Sequence, residues 1–292
     1  MHWFPLTLAC AFALASADAL TKHSLGRRDT RDLALVRLGL PGALLLPWLL
    51  AHPPPPLPSE FWAWIAVLLP AEVVAMLLYQ RAIRDHPLAL TVPYLAFTPV
   101  LVAATGWVVL GETVSARGLA GILLVTAGGW LLNAGGPGGG SPWRRAVAPL
   151  RAIWDNPGSR QMLGVAAIYA FTSVGGKRAM AFLDPPQFAA LYFALLGLLT
   201  FLLFAATRPA RLRVFAEQPA ACLGVGVLMT VMVVTHFLAI ATVEAAYMIA
   251  VKRSSLLFGI LYGALLFGER HLGRHLAAGA LMLAGVALIA LP

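Results

Sequence analysis

The segment 250–259, AVKRSSLLFG, carries the residues of this sequence best suited to binding an anion. Lys252 and Arg253 stand side by side within 245–267, an otherwise apolar run long enough to cross a bilayer. Arginine can hold an oxyanion through two parallel hydrogen bonds, whereas lysine acts as a compact point charge. Ser254 adds a hydroxyl group that can bond a substrate or the neighbouring backbone. The segment therefore predicts a site for a carboxylate or a phosphate.

The rest of the chain indicates an all-α integral membrane protein. Of its 292 residues 60% are hydrophobic and 11% are charged, and the mean hydropathy is +0.82. A soluble domain of this size needs more polar surface to cover its core. The formal charge of +9 is typical of basic cytoplasmic loops, so no nucleic-acid partner is expected. Cys10 and Cys222 lie in apolar runs and are interpreted as packing residues, so neither a metal nor another cofactor is expected.

Proline, glycine and charged residues divide the apolar sequence into ten predicted helices. Their ranges are 3–19, 33–51, 60–80, 88–110, 116–133, 161–181, 186–206, 219–241, 245–267 and 272–291. The first range resembles a cleavable signal, but no Lys or Arg precedes it, and we interpret it as a retained helix. The basic, Gly/Pro-rich segment 134–160 is predicted to be a cytoplasmic linker between the fifth and sixth helices.

The parts on either side of this linker, 1–133 and 161–292, are related. Residues 110–132 align without gaps with residues 267–289, at an offset of 157 positions. The informative identities are Gly111 with Gly268, Glu112 with Glu269, Arg117 with Arg274, and Gly128 with Gly285. The alignment predicts two five-helix repeats.

The basic residues predict how these repeats are oriented. Five is an odd number, so the second repeat must enter the membrane from the opposite side to the first. Basic residues concentrate in the odd-numbered loops, which the positive-inside rule places in the cytoplasm. The predicted fold is therefore ten transmembrane helices arranged as two inverted five-helix repeats. The protein is predicted to lie in the cell (plasma or inner) membrane, with both termini on the outer, periplasmic side.

Glu72 is predicted to lie near the membrane midplane. A charge at that depth costs at least about 2.5–3.5 kcal/mol, so it must face protein or water. In one interpretation Glu72 neutralises Lys252 or Arg253, and the other cation extends to the interface. In the other, the cations bind a substrate anion, because one acid cannot neutralise two bases. The aligned segment 93–102, PYLAFTPVLV, carries no charge, which favours a substrate role.

Four further charged residues are candidates for gating or ion pairing. Lys22 and Lys177 end the first and sixth predicted helices at related positions, either as interface anchors or as gates at the two mouths. Asp18, near the cytoplasmic end of the first helix, is predicted to pair with Arg37 in the second.

Two tyrosines and two glutamates complete the set of candidate residues. Tyr169 and Tyr192 are predicted to line a substrate cavity. Glu112 and Glu269 follow a helix, and each is predicted to cap the free N–H groups of the next helix in a structural role.

Two predicted helices contain residues that can interrupt them. Pro93 and Pro99 lie in the fourth helix, and Gly175 and Gly176 lie in the sixth. Interrupted helices often permit gating motions.

Two antiparallel five-helix units, each with Gly-Glu between its last two helices, resemble the drug/metabolite transporter superfamily, especially its EamA-type members. The segments that carry the resemblance are 109–129, VLGETVSARGLAGILLVTAGG, and 245–289, AAYMIAVKRSSLLFGILYGALLFGERHLGRHLAAGALMLAGVALI. The resemblance implies secondary transport of small organic molecules through a central cavity. In the superfamily's sugar-phosphate branch, a similar Lys-Arg pair binds the substrate's phosphate. Small four-helix members use a first-helix carboxylate for proton coupling, but Asp18 lies near the end of its helix and not in the middle, so that role does not transfer cleanly to it.

The sequence thus predicts a secondary active transporter, an exporter of a carboxylate- or phosphate-bearing metabolite such as an amino acid. One repeat would rock against the other in alternating access. A multidrug transporter or a lipid-carrier flippase of the same superfamily is the alternative. An enzyme is disfavoured, because the sequence has no paired His/Asp motif, metal-ligand cluster or P-loop. The expected partners are a small-molecule substrate and the lipid bilayer, and the expected state is a monomer or a homodimer.

Overall fold

A computed structural model of the chain describes residues 2–86, 92–133, 156–267 and 272–290. Within these ranges all regular structure is helical, with no strand. The α-helices are α1 (Trp3–Leu20), α2 (Thr30–Ala34), α3 (Leu40–Ala51), α4 (Ser59–Asp85), α5 (Thr98–Leu110), α6 (Ala116–Asn133), α7 (Pro157–Met180), α8 (Pro185–Thr200), α9 (Arg213–Glu217), α10 (Pro219–Ile240), α11 (Ala245–Lys252), α12 (Ser255–Phe267) and α13 (Leu272–Ala290). Short π-helical turns cover Thr21–Leu25, Leu35–Gly39 and Phe201–Ala205, and 3-10 turns cover Val92–Phe97 and Pro209–Leu212.

Several helical stretches are long and apolar enough to cross a membrane. In the described residues six reach this length: Trp3–Leu25, Thr30–Ala51, Ser59–Ala82, Pro185–Ala205, Pro219–Ile240 and Ala245–Gly263. Shorter apolar helices cover Tyr94–Leu110, Ala116–Leu132 and Ala277–Ala290. The chain is therefore a multi-pass integral membrane protein. That ten helices cross the bilayer stays a prediction.

The second predicted helix, 33–51, differs from the observed one. Helical structure begins earlier, at Thr30, and widens into the π turn Leu35–Gly39 before α3. Pro41 has no N–H group to donate to the carbonyl four residues earlier, and a π turn is one way for the backbone to accommodate that loss. Sequence periodicity did not reveal this turn, because π-helical and α-helical stretches carry the same apolar residues.

The interruption predicted at Gly175 and Gly176 was wrong. Helix α7 runs through both glycines from Pro157 to Met180. Gly175 permits close packing instead, since a Cβ there would lie 2.8 Å from Leu68 Cδ2 and 3.2 Å from Trp64 Cζ3. The missing side chain makes room for neighbouring residues without breaking the helix.

The described chain packs as two compact units. Unit 1 comprises Met1–Val73 and Gly175–Thr242, and unit 2 comprises Val74–Val174 and Val243–Pro292. Each unit contains residues of both predicted repeats, so packing does not follow the division into 1–133 and 161–292. Those repeats stay a prediction about sequence relationship.

In unit 1, α1 packs against α10, and α3 packs against α8. Glycine brings α3 close to its neighbour, because a Cβ on Gly42 would overlap the carbonyl of Phe193. An ion pair also ties α4 to α7, with Arg178 Nη2 2.7 Å from Glu60 Oε1. Unit 1 is therefore built from small-residue contacts between helices with charged links near helix ends.

In unit 2, the most extensive helix contact joins α6 and α13. A Cβ on Gly121 would lie 2.7 Å from the Gly285 carbonyl oxygen, and one on Gly285 would lie 2.6 Å from the Gly121 carbonyl oxygen. The two backbones can approach this closely only because both positions lack a side chain. This pair gives unit 2 a tightly packed base beside α11 and α12.

Candidate functional site

Helices α11 and α12 of unit 2 follow one another and are separated by a tight turn at Arg253 and Ser254. Ser254 N–H donates to Val251 O at 2.9 Å, and Leu256 N–H donates to Arg253 O at 3.0 Å. These bonds span three residues instead of the four of an α-helix. The helix predicted over 245–267 is therefore interrupted at this turn, although Ala245–Gly263 still has the length of one membrane span. Neither proline nor glycine stands at the break, so the sequence carried no signal for it.

Two side-chain interactions hold the start of α11 in place. Glu112 Oε2 accepts a hydrogen bond of 2.8 Å from Ala245 N–H, in the first turn of α11. Tyr247 Oη accepts a bond of 2.8 Å from Ser115 N–H and lies 3.2 Å from Ser115 Oγ. Glu112 thus caps α11, whereas the sequence suggested that it caps the helix immediately following it. The segment leading to Arg253 is fixed from its beginning.

Gly111 makes the placement of Glu112 possible. It has φ +68°, in the left-handed region that glycine adopts without strain, and it ends α5. The chain then turns so that Glu112 N–H donates to Gly106 O at 3.2 Å. The Glu112 carboxylate lies beside Gly106, where a Cβ would be 3.2 Å from Oε2. The Gly-Glu motif at the end of α5 therefore positions the start of α11.

Polar atoms at the break lack partners. Arg253 Nε and Ser254 Oγ are both buried, and neither has a hydrogen-bond partner in the described part of the chain. Arg253 also forms no ion pair with a carboxylate among the described residues, and its side chain is half-buried. Lys252 is half-buried next to it. Both orphaned groups can donate a hydrogen bond, so an acceptor such as an oxyanion is the ligand that satisfies them.

Two tyrosines of unit 2 lie close enough to act electrostatically on the Arg253 guanidinium: Tyr169 and Tyr79. Both are partly buried against an apolar cluster that includes Tyr94 and Met162. Tyr169 was predicted as a cavity residue, whereas Tyr79 was not. Tyr79 follows Glu72 by seven residues, two helical turns, and this spacing is the signal that could have identified it.

Glu72 and Tyr192 come together in unit 1. Glu72 is half-buried on α4 and interacts electrostatically with buried Tyr192 of α8. Tyr192 stacks on Phe188, with ring centroids 5.4 Å apart, and meets Phe237 at 6.1 Å. Tyr192 therefore lies in an aromatic cluster of unit 1 and within electrostatic reach of Glu72. Four other candidates belong to unit 2: Lys252, Arg253, Ser254 and Tyr169.

The four candidate gating or ion-pair residues all belong to unit 1. Asp18 and Arg37 form an ion pair, with Arg37 Nη2 2.6 Å from Asp18 Oδ1. Arg37 also donates to Thr21 Oγ1 at 3.2 Å. Lys22 is exposed on the π turn after α1, and Lys177 is half-buried near the end of α7. A gating role for these residues stays a prediction.

Glu269 lies outside the described residues, so its predicted capping role has no structural counterpart here. Among the described residues, no group of three or more His, Cys, Asp and Glu side chains is arranged to hold a metal ion.

Comparison with known proteins places the chain among transporters. The family model of the "EamA-like transporter family" matches residues 1–134 and 157–291. None of the curated proteins compared with the chain matches it. A solved structure described only as "Crystal structure of protein" has a TM-score of 0.73, 20% sequence identity and 98% coverage of both chains. At this identity the structural likeness supports the fold alone.

Proposed function

Because the chain belongs to the EamA-like transporter family, we propose that it is a secondary active transporter that exports a small organic metabolite by alternating access. The proposed substrate carries a carboxylate or a phosphate, as an amino acid does. The proposed topology is ten transmembrane helices in two inverted repeats, with both termini on the outer side of the plasma or inner membrane.

The observation that carries the substrate class is the pair of orphaned donors at Arg253 Nε and Ser254 Oγ. Burying a cation without a carboxylate partner is costly, and a protein rarely retains such a group without a use for it. A substrate oxyanion bound by Arg253, with Lys252 adding a second positive charge, would supply the missing acceptor. Two fixed cations in one segment disfavour a cationic drug as the substrate.

Tyr169 is proposed to complete the site in unit 2, because it lies within electrostatic reach of the guanidinium. Its phenol can accept or donate a hydrogen bond without competing as a fixed anion. In unit 1, Glu72 and Tyr192 are the proposed substrate-binding residues, since a half-buried acid within electrostatic reach of a tyrosine suits an ammonium or another polar group.

A thermal-shift screen of the purified protein tests the substrate class. Amino acids, sugar phosphates, nucleotides and organic cations are each added, and a ligand that binds the folded form raises the melting temperature with its concentration. We expect stabilisation by one class of anionic or zwitterionic metabolite. Stabilisation by organic cations alone would contradict the proposal and support a multidrug function.

Uptake into proteoliposomes then tests the residues. Arg253→Gln and Lys252→Gln are each compared with Arg81→Gln, which neutralises an exposed arginine elsewhere in unit 2. A charged hydrogen bond contributes about 1.5–3 kcal/mol, so Arg253→Gln should weaken substrate binding roughly 10- to 100-fold. The melting temperature without substrate should not fall. Retained transport together with a lower melting temperature would instead show that Arg253 is structural.

A further inference from the structure

Two loops of unit 1 are joined by ion pairs. Arg211 Nη1 lies 2.6 Å from Asp32 Oδ1 and 3.0 Å from Asp29 Oδ1. Arg28 Nη1 lies 2.7 Å from Glu217 Oε2. We call these five residues the loop clasp. They connect the loop between the first π turn and α2 with the segment that leads from α8 to α10.

The clasp lowers the pKa of Asp29. Partial burial raises the pKa of Asp29, but the hydrogen bonds from Arg31 N–H and Arg211 outweigh burial and hold the pKa below its ordinary value. Asp32 shares the same guanidinium. The side chain of Arg211 is only 13% exposed, so the clasp is partly shielded from solvent and salt.

The clasp leaves a set of arginines uncompensated. The segments 21–32 and 206–218 contain three acidic residues, and each forms an ion pair with a clasp arginine: Asp29, Asp32 and Glu217. Four other arginines of these segments are exposed, and one of them, Arg31, acts electrostatically on Asp29. The remaining three form no ion pair with the described residues. We call them the basic platform: Arg27, Arg208 and Arg213.

Apolar side chains next to the platform indicate that it faces lipid. Leu202 is 52% exposed and Leu203 is 47% exposed, both on the π turn that ends the span Pro185–Ala205. Leu212, 38% exposed, stands directly before Arg213. Exposed leucines at the end of a membrane span lie among acyl chains, so the adjoining arginines lie at the level of the headgroups.

We propose that the basic platform binds the phosphate headgroups of anionic phospholipids and that the loop clasp maintains its charge. The guanidinium groups hydrogen-bond the headgroup phosphate, while the neighbouring leucines contact the acyl chains. Arg211 acts indirectly: its positive charge offsets one of the two negative charges that Asp29 and Asp32 place beside it. Each arginine near an anionic membrane surface raises lipid affinity about fivefold.

The affinity for phosphatidylglycerol is measured by titrating the full-length protein in neutral detergent and following its melting temperature. The wild type should be stabilised. The double variant R208Q/R213Q, which leaves the clasp intact, should bind about 25-fold more weakly, at about fivefold per arginine. Arg211→Gln should also bind more weakly, although Arg211 is mostly shielded, because Asp29 and Asp32 are released.

Arg178→Gln is the matched control, since it neutralises an exposed arginine of unit 1 that is paired with Glu60. Its phosphatidylglycerol affinity should equal that of the wild type. Equal affinity of R208Q/R213Q and the wild type would overturn the proposal. Equal stabilisation by inorganic phosphate would overturn the assignment to lipid, because a free anion would then suffice.

Discussion

In the described residues of unit 2, an α-helix begins after a tight turn at two aligned positions, and only one of these two breaks is charged. The 3-10 turn Val92–Phe97 gives way to α5 at Thr98, and the turn after α11 gives way to α12 at Ser255, 157 positions later. The first break is apolar: Ala96 is buried, and Thr98 Oγ1 donates to Leu95 O at 2.8 Å.

The second break contains the orphaned donors of Arg253 and Ser254. The uncharged break shows that a turn followed by an α-helix requires no charge here. The cations are therefore an addition at one break, and an addition of that cost fits the binding of a ligand better than it fits a bend.

The largest effect is expected when a positive charge is placed at the uncharged break. Ala96→Arg puts a cation where a Cβ on the neighbouring Gly129 would already be 3.1 Å from Ala96 Cβ. A buried charge without a partner costs about 3–5 kcal/mol, so this variant should unfold at a much lower temperature or fail to fold. Ala96→Ser is the control of similar size. A melting temperature for Ala96→Arg like that of the wild type would mean that both breaks accommodate cations, and the comparison would fail.

An intermediate effect on stability is expected when the hydroxyl group at each break is removed. Thr98→Val removes a hydrogen bond that is made within the protein and should cost about 1 kcal/mol of stability. Ser254→Ala removes a hydroxyl without a partner in the described chain, so the melting temperature should stay unchanged or rise slightly. In the substrate titration Ser254→Ala should be the variant with the larger effect, weakening binding about fivefold. If Ser254→Ala destabilises the protein as much as Thr98→Val does, its hydroxyl is a structural group.

The smallest effect is expected at the residue that holds the start of α11. Glu112→Gln keeps an oxygen that can accept from Ala245 N–H and loses only the charge at the helix N-terminus. The expected loss of stability is about 0.5 kcal/mol, with transport preserved. Thermal unfolding and proteoliposome uptake measure the two quantities. Abolished transport with an unchanged melting temperature would show that the carboxylate itself takes part in transport.

Much of the fold was accessible from the sequence. Apolar runs, broken by proline, glycine and charge, predicted helices at ranges such as 60–80 and 219–241, and the observed α4 and α10 lie there. The π turn at Leu35–Gly39 and the break at Arg253 were missed. Both change the hydrogen-bonding partner by one residue, which leaves no trace in the pattern of apolar residues.

The candidate site was only partly accessible. Residue type and membrane depth identified Arg253 and Glu72, because a charge in an apolar run is conspicuous in any sequence. Tyr79 was not singled out, since a tyrosine in a membrane helix is ordinary until a cation is found beside it. The Asp18–Arg37 pair joins residues far apart in sequence, and its 2.6 Å contact depends on how α1 meets the π turn before α3.

By itself, the sequence determined that this is a helical membrane protein, where apolar helices such as α4 and α10 lie, and that Lys252 and Arg253 are out of place in an apolar segment. Hydrophobicity and charge belong to individual residues and their order along the chain, so the sequence shows them directly. Only the tertiary structure decided that Glu112 caps α11 and that Arg211 binds two acids. It also decided that Arg253 Nε and Ser254 Oγ have no partner among the residues that the structure describes. These contacts depend on which helices pack together, and that choice is made by the fit of side chains distant in sequence.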